Sequence, residues 1–307
     1  MTLLDALADG PLLADGAMGT QLFEAGLEPG SPGAAWSLTH PDRVLAVHRR
    51  YVEAGSDCLL TNTFGACGLM LARHGLARDA AAINAAGVAI ARQAFGARPG
   101  FVIGDIGPFG GLLEPYGETP ARDVRRALEE QACALVDAGA DAIIVETQTS
   151  LDELGIGLRA ALDAGARCVI GSMAFDVTHD GKGLRTMMGV DPAAAAAFMQ
   201  ANGAHLAGIN CGAGMDMVRA RDAVALFRRE TDLPVMAQPN AGQPVLVGTH
   251  VVYGETPTSM AAGVAPLMAA GARVVGACCG STPDHIRACR RALDAYCLTS
   301  RPARPRS

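Results

Sequence analysis

Ala138-Gly139-Ala140-Asp141-Ala142-Ile143-Ile144-Val145-Glu146 is the stretch that decides the fold. An amphipathic segment, Arg122 to Ala138, runs into an Ala-Gly turn, and an unbroken apolar run then ends on a carboxylate. Glycine there suits a chain that must pass through a left-handed conformation beyond the last helical carbonyls. An apolar run without alternation is the pattern of a parallel strand covered on both faces. The same turn recurs as Ala54-Gly55-Ser56-Asp57, Ala164-Gly165-Ala166-Arg167 and Ala270-Gly271-Ala272-Arg273.

Working outward, eight such runs appear: Leu12 to Ala14, Cys58 to Leu60, Phe101 to Asp105, Ala142 to Glu146, Cys168 to Ser172, Leu206 to Asn210, Pro234 to Gln238 and Val274 to Ala277. Helical patterns such as Asp216 to Thr231 separate them. Eight β-then-α units in 307 residues predict a single α/β domain, a closed (β/α)8 TIM barrel. No Gly-x-Gly-x-x-Gly follows the first run, which disfavours an open dinucleotide-binding sheet. Val245 to Tyr253, with Gly248-Thr249 at its middle, predicts a small hairpin after the seventh strand. The barrel is expected over residues 1–296. Residues 297–307, containing Pro302 and Pro305, are expected to form a disordered tail.

The bulk numbers narrow the function. Half the residues are hydrophobic, and the net charge is -6 with the 25 basic residues scattered, so no basic stripe for nucleic acid is visible. No apolar run approaches a membrane span, and no basic-then-apolar leader opens the chain. These features predict a soluble, cytoplasmic protein. Nine cysteines make an odd count without a disulfide framework. Cys58, Cys67, Cys133, Cys168, Cys289 and Cys297 stand singly and read as small hydrophobes.

In a barrel of this kind chemistry gathers at the C-terminal strand ends. There the sequence offers Asp15, Asn62, Asp105, Glu146, Ser172, Asn210 with Cys211, Asn240, and Cys278 with Cys279. Strands six and eight are separated only by strand seven, so Cys211, Cys278 and Cys279 can converge over the mouth. Adjacent cysteines reach one point only if the strand has ended, which Gly276 and Gly280 permit. Three thiolates with an open fourth position describe a catalytic zinc site. A buried Cys-Cys pair, a redox pair, a zinc-free small-molecule-binding barrel or a lyase are the alternatives. Asp15 also suits a helix cap.

Asp15-Gly16-Ala17-Met18-Gly19-Thr20, Thr61-Asn62-Thr63-Phe64, Gly104-Asp105-Ile106-Gly107-Pro108, Gly208-Ile209-Asn210-Cys211, Pro239-Asn240-Ala241-Gly242 and Gly276-Ala277-Cys278-Cys279-Gly280 occur in that order. The set closely resembles the homocysteine S-methyltransferase family, from about Leu12 to Leu293. The family commonly has Gly where Ala277 stands. The resemblance implies zinc on Cys211, Cys278 and Cys279, and a methyl transfer to homocysteine that gives methionine. It implies that Asp15 and Glu146 hold the amino group, and that amides around Gly16, Ala17, Gly19 and Thr20 take the carboxylate. The donor expectation is betaine, with Trp36, Phe64 and Asn240 as the donor-side residues, since quaternary ammonium groups are held by aromatic faces. Trp36 also suits packing over the barrel rim, and Asn240 a turn cap. Aromatic residues are only 4% of the chain, and Gly65 stands where animal-type betaine enzymes carry a tyrosine. The alternative donors are S-methylmethionine, another sulfonium, or a methylcorrinoid on a separate protein.

Overall fold

The computed structural model describes residues 1–247 and 250–300. One sheet holds eight strands: β1 Leu12–Leu13, β2 Cys58–Leu60, β3 Phe101–Ile106, β4 Ala142–Gln148, β5 Val169–Met173, β6 Leu206–Asn210, β7 Val235–Gln238 and β8 Ala272–Val275. Neighbours from β2 to β8 pair in sequence order, β1 pairs with β8, and every ladder is parallel. This is the expected (β/α)8 barrel. The glycines of the four quoted turns all take positive φ, between 82° and 112°. The helix Met217–Glu230 buries Ala220, Ala223, Val224 and Phe227, the inward stripe of an amphipathic helix.

Side chains complete the barrel where the ladder stops between β1 and β2. The Asp57 amide donates to the Leu13 carbonyl at 2.7 Å, and the Leu13 amide donates to Asp57 Oδ2 at 2.8 Å. Arg290 pairs with the same carboxylate at 2.9 Å. Asp141 repeats the device between β3 and β4, accepting from the Val102 amide at 2.7 Å and pairing with Arg92. The aspartate ending an Ala-Gly-x-Asp turn therefore acts as a clasp on the preceding strand.

Ala14, Cys58, Ile103, Ile144, Cys168, Ile170, Leu206, Met236 and Val274 form one buried cluster with Leu3 and Leu7 of the first helix, Leu3–Asp9. That helix closes the lower end of the barrel. Burial pushes the Cys58 thiol up and the Cys168 thiol to about 12, as small buried hydrophobes require. Cys133 is exposed, so its expected burial does not hold.

Pro244–Val247 and His250–Tyr253 pair as an antiparallel hairpin after β7. Its expected centre, Gly248-Thr249, lies outside the described residues. The last helix, Pro283–Ser300, extends through residues 297–300, correcting the expected start of the tail. Residues 301–307 lie outside the described residues. Among the described residues, no helix is long and apolar enough to cross a membrane.

Candidate active site

Cys211 directly follows β6 and adopts a left-handed φ of 55°, uncommon for a residue with a Cβ. Its amide donates to the Gln238 carbonyl at 3.3 Å. Cys278 and Cys279 lie beyond the end of β8, where the chain has turned. The Cys278 amide donates to the Pro239 carbonyl, and the Cys279 carbonyl accepts from the Ala241 amide. Only glycine suits position 280, since a Cβ there would lie 2.0 Å from the Tyr253 ring. The two adjacent cysteines thus escape the alternation that a strand would impose.

The Sγ atoms of Cys211 and Cys279 are 3.8 Å apart, and those of Cys278 and Cys279 are 3.9 Å apart. All three sulfurs lie within 4.8 Å of one another. A tetrahedral centre with zinc–sulfur bonds of about 2.3 Å has sulfur–sulfur edges of about 3.8 Å, which the two edges at Cys279 match. Among the described residues no further His, Cys, Asp or Glu joins the cluster. Hydrogen bonds with Cys211 and Cys278 hold the Cys279 thiol down at about 3. The same crowding pushes Cys278 up.

The sulfurs open into a cavity of about 430 Å3 whose wall also carries Ala17, Gly19, Thr20, Phe64, Asp105 and Glu146. Burial, then the neighbouring Cys211 charge, pushes Glu146 up to about 7. Burial, then Glu146, pushes Asp105 well above the usual carboxylate range. Asp15 is buried beside them and displaced upward by burial in the same way. Its Oδ2 accepts from the Leu60 amide at 3.0 Å, so it bridges β1 to β2 and does not cap the next helix. No arginine or lysine pairs with any of the three among the described residues. The mouth supplies acids without a protein cation.

Gly16 is backed against Tyr51 and Ser281 and lies off the cavity wall. Ser281 Oγ accepts from the Ala17 amide at 2.9 Å and donates to the Cys278 carbonyl at 2.8 Å, while the Tyr51 hydroxyl donates to the Ala17 carbonyl. The loop after β1 and the Cys278 turn are therefore tied together. The short helix Gly19–Glu24 begins at the wall, where its first amides have no intrahelical acceptor.

The donor-side residues are dispersed. Phe64 lies on the wall. Trp36 is buried away from the cavity, with His40 4.6 Å from its ring centroid and Arg43 over the ring at 5.1 Å. Asn240 lies off the wall as well, and its Nδ2 donates to the Gly212 carbonyl at 2.9 Å, bracing the residue after Cys211. Asp105, undecided from sequence, is on the wall, with Oδ1 buried and unpartnered. Thr147 also lies on the wall, and its φ of 58° follows from no local sequence motif.

A second cavity, about 490 Å3, lies at the opposite end between the first helix and Arg228, Asp232 and Arg273. Its guanidinium groups already bind the carbonyls of Thr231, Leu233 and Leu7, and no thiol or buried acid lines it. The chemistry belongs to the upper mouth.

Fold and site together define a (β/α)8 barrel with a cysteine-rich, acid-lined mouth. Within that class the chain belongs to the homocysteine S-methyltransferase family, whose model matches residues 12–293. Methionine synthases of Mycobacterium leprae and Mycobacterium tuberculosis are each 36% identical over 301 residues. These matches cover 93% of this chain but only 24% and 25% of those proteins, so the chain spans about a quarter of their length. The metallated form of the homocysteine methyltransferase MmuM from Escherichia coli superposes with a TM-score of 0.77 at 24% identity, covering 94% of this chain and 99% of that one. Its oxidized form gives 0.76 at 25%, covering 94% and 98%.

Proposed function

We propose that this chain is a zinc-dependent S-methyltransferase that converts homocysteine to methionine. The observation that carries the reading is the three-sulfur cluster with tetrahedral-edge spacing, opening into a cavity walled by buried carboxyls. Cys211, Cys278 and Cys279 would hold the ion, and zinc bound there would supply the positive charge that keeps an incoming thiol deprotonated at neutral pH. Glu146 and Asp105, with Asp15 behind them, bind the acceptor's ammonium group. The free amides at the start of the Gly19–Glu24 helix take its carboxylate. With both ends of the amino acid held, its sulfur is directed at the cysteines. In the transfer the sulfur gains the methyl, the donor departs with the bonding pair, and the thiol proton is released.

The methyl donor is a sulfonium or a methylcorrinoid protein in preference to betaine. Trp36, the tryptophan of the betaine expectation, offers no face to the cavity, and the two phenylalanines on the wall, Phe23 and Phe64, are fewer rings than a closed aromatic cage around a quaternary ammonium would use. One feature favours the methylcorrinoid protein as a second reading. Exposed large apolar side chains on segments that follow the barrel strands include Phe23 and Phe64, which line the cavity, and Leu112, Tyr116, Met187 and Leu246. Exposed apolar side chains of this size suit contact with a protein partner.

The test is zinc per chain after purification without chelator, followed by homocysteine methylation with S-methylmethionine, methylcobalamin and betaine. One zinc in the wild type, lost in Cys278→Ala, is expected. A folded, reduced protein without stoichiometric zinc would return the chain to the zinc-free barrel or lyase alternatives.

A further inference from the structure

Asn210 has a fully buried side chain at the end of β6, immediately before Cys211. Its Nδ2 donates to Glu146 Oε2 at 3.0 Å and to Thr147 Oγ1 at 2.6 Å. Its Oδ1 accepts from the Thr147 amide at 3.0 Å and from Ser172 Oγ at 2.6 Å. Two donors and two lone pairs are all that an amide side chain possesses, so its capacity is full. The backbone amide can only donate, which fixes the orientation of the side chain. It joins the ends of β4, β5 and β6.

The residues it joins are unusual. Thr147 and Cys211 are the only non-glycine residues with positive φ among the described residues, at 58° and 55°. A β-branched residue at such a φ is a backbone outlier that its surroundings must hold in place. Asn210 grips Thr147 through both its amide and its hydroxyl, and is itself the residue before Cys211. One amide therefore sets where Glu146 leaves β4 relative to where the first thiol leaves β6.

We infer that Asn210 is a positioning residue that fixes Glu146 in register with Cys211, so that the acceptor's ammonium and sulfur are bound together. This rests on the homocysteine reading above. The cost of removing it should fall on ligands that carry the amino group. Aspartate is nearly isosteric and still accepts from Thr147 and Ser172, but it presents an oxygen to Glu146 where a donor stood.

The experiment is calorimetric binding to zinc-loaded protein of homocysteine and of 4-mercaptobutanoate, which lacks only the amino group. Wild type should prefer homocysteine. Asn210→Asp should reduce that preference by about tenfold or more, the scale of outer-shell substitutions at metal sites. Zinc content and the 4-mercaptobutanoate Kd should change by less than about threefold. Equal weakening of both thiols, or loss of zinc, would mark Asn210 as merely structural and overturn the proposal, as would an unchanged preference. Should Asn210→Asp not fold, Ser172→Ala removes one anchor of the same amide and is expected to reduce the preference several-fold; no reduction there overturns the proposal too. Wild type that binds neither thiol overturns the acceptor reading itself, a result distinct from binding whose preference survives the substitutions.

Discussion

His48 gives the most quantitative prediction. It lies in the helix Pro41–Ala54, fully buried, with neither ring nitrogen hydrogen-bonded. Burial therefore lowers its pKa from 6.5 to about 4. The unfolded chain takes up a proton first as pH falls, so the destabilisation begins near pH 6.5 and is complete below pH 4. Linkage between those two values gives a loss of about 1.4 kcal/mol at pH 5.5 and about 2.5 kcal/mol at pH 4.5, relative to neutral pH. His48→Leu removes the titration and also a buried, unpartnered polar ring. The assay is urea unfolding of both proteins at pH 7.5, 5.5 and 4.5. All other groups titrate alike in the two chains, so the difference in unfolding free energy isolates the histidine. That difference should shift in favour of the variant by about 2.5 kcal/mol between pH 7.5 and 4.5. A difference independent of pH would refute the reasoning, because it would mean that His48 is partnered or reaches water.

The other predictions concern a buried acid, the barrel seam and the mouth. Glu153 is pushed by burial to about 7 while its Oε1 accepts from the Phe109 amide at 2.8 Å. A carboxyl raised in the fold favours folding most below its unfolded pKa, and that advantage disappears as pH rises through about 7. Glu153→Gln keeps the acceptor without the charge, so it should stabilise the protein by about 1–3 kcal/mol at pH 8 and much less at pH 5, as read by chemical denaturation. Asp57→Ala opens the clasp between β1 and β2 and frees Arg290, and should cost about 2–4 kcal/mol in the same measurement. Leu246→Asp should leave zinc content and homocysteine affinity unchanged while slowing transfer from a methylcorrinoid protein. Slowing with small sulfonium donors to the same extent would refute the docking role of the hairpin.

Much of the barrel was legible because each strand is a buried apolar run bounded by an Ala-Gly turn, and burial on both faces leaves little alternation to misread. Polar strand ends were legible for the same reason, since Glu146 and Cys211 interrupt otherwise apolar stretches. What the sequence hid are relations between distant residues. Asp57 and Asp141 look like ordinary turn aspartates until their carboxylates are seen to accept from the Leu13 and Val102 amides of the preceding strand. Asp15 looked like a helix cap, yet its carboxylate reaches β2. Trp36 looked like a donor-binding aromatic, but Arg43 and His40, a few positions along the chain, cover it. Thr147 is forced to positive φ by contacts with β6, and no local pattern foretells a conformation imposed from outside.

The composition of the mouth limits what can bind there more tightly than its shape does. Three thiols and three buried carboxyls share one end of the barrel, and no lysine or arginine among the described residues pairs with those carboxyls. Buried acids of this density remain largely protonated unless cations join them. Their division matters. The sulfurs form one cluster at metal spacing, and Asp105 and Glu146 lie on the same wall with Asp15 behind them, so two cations of different character are invited, a soft metal ion and an ammonium. An acceptor carrying both a thiol and an amino group answers both demands at once. A neutral alkyl thiol would leave the carboxyls unanswered, and an amino acid without sulfur would leave the metal position unanswered. Asn210, which donates to Glu146 Oε2 and directly precedes Cys211 in the chain, links the two clusters. On the proposed reading, selectivity for an amino-acid thiol would follow from how the acids are divided between the clusters and from the register that Asn210 is inferred to hold.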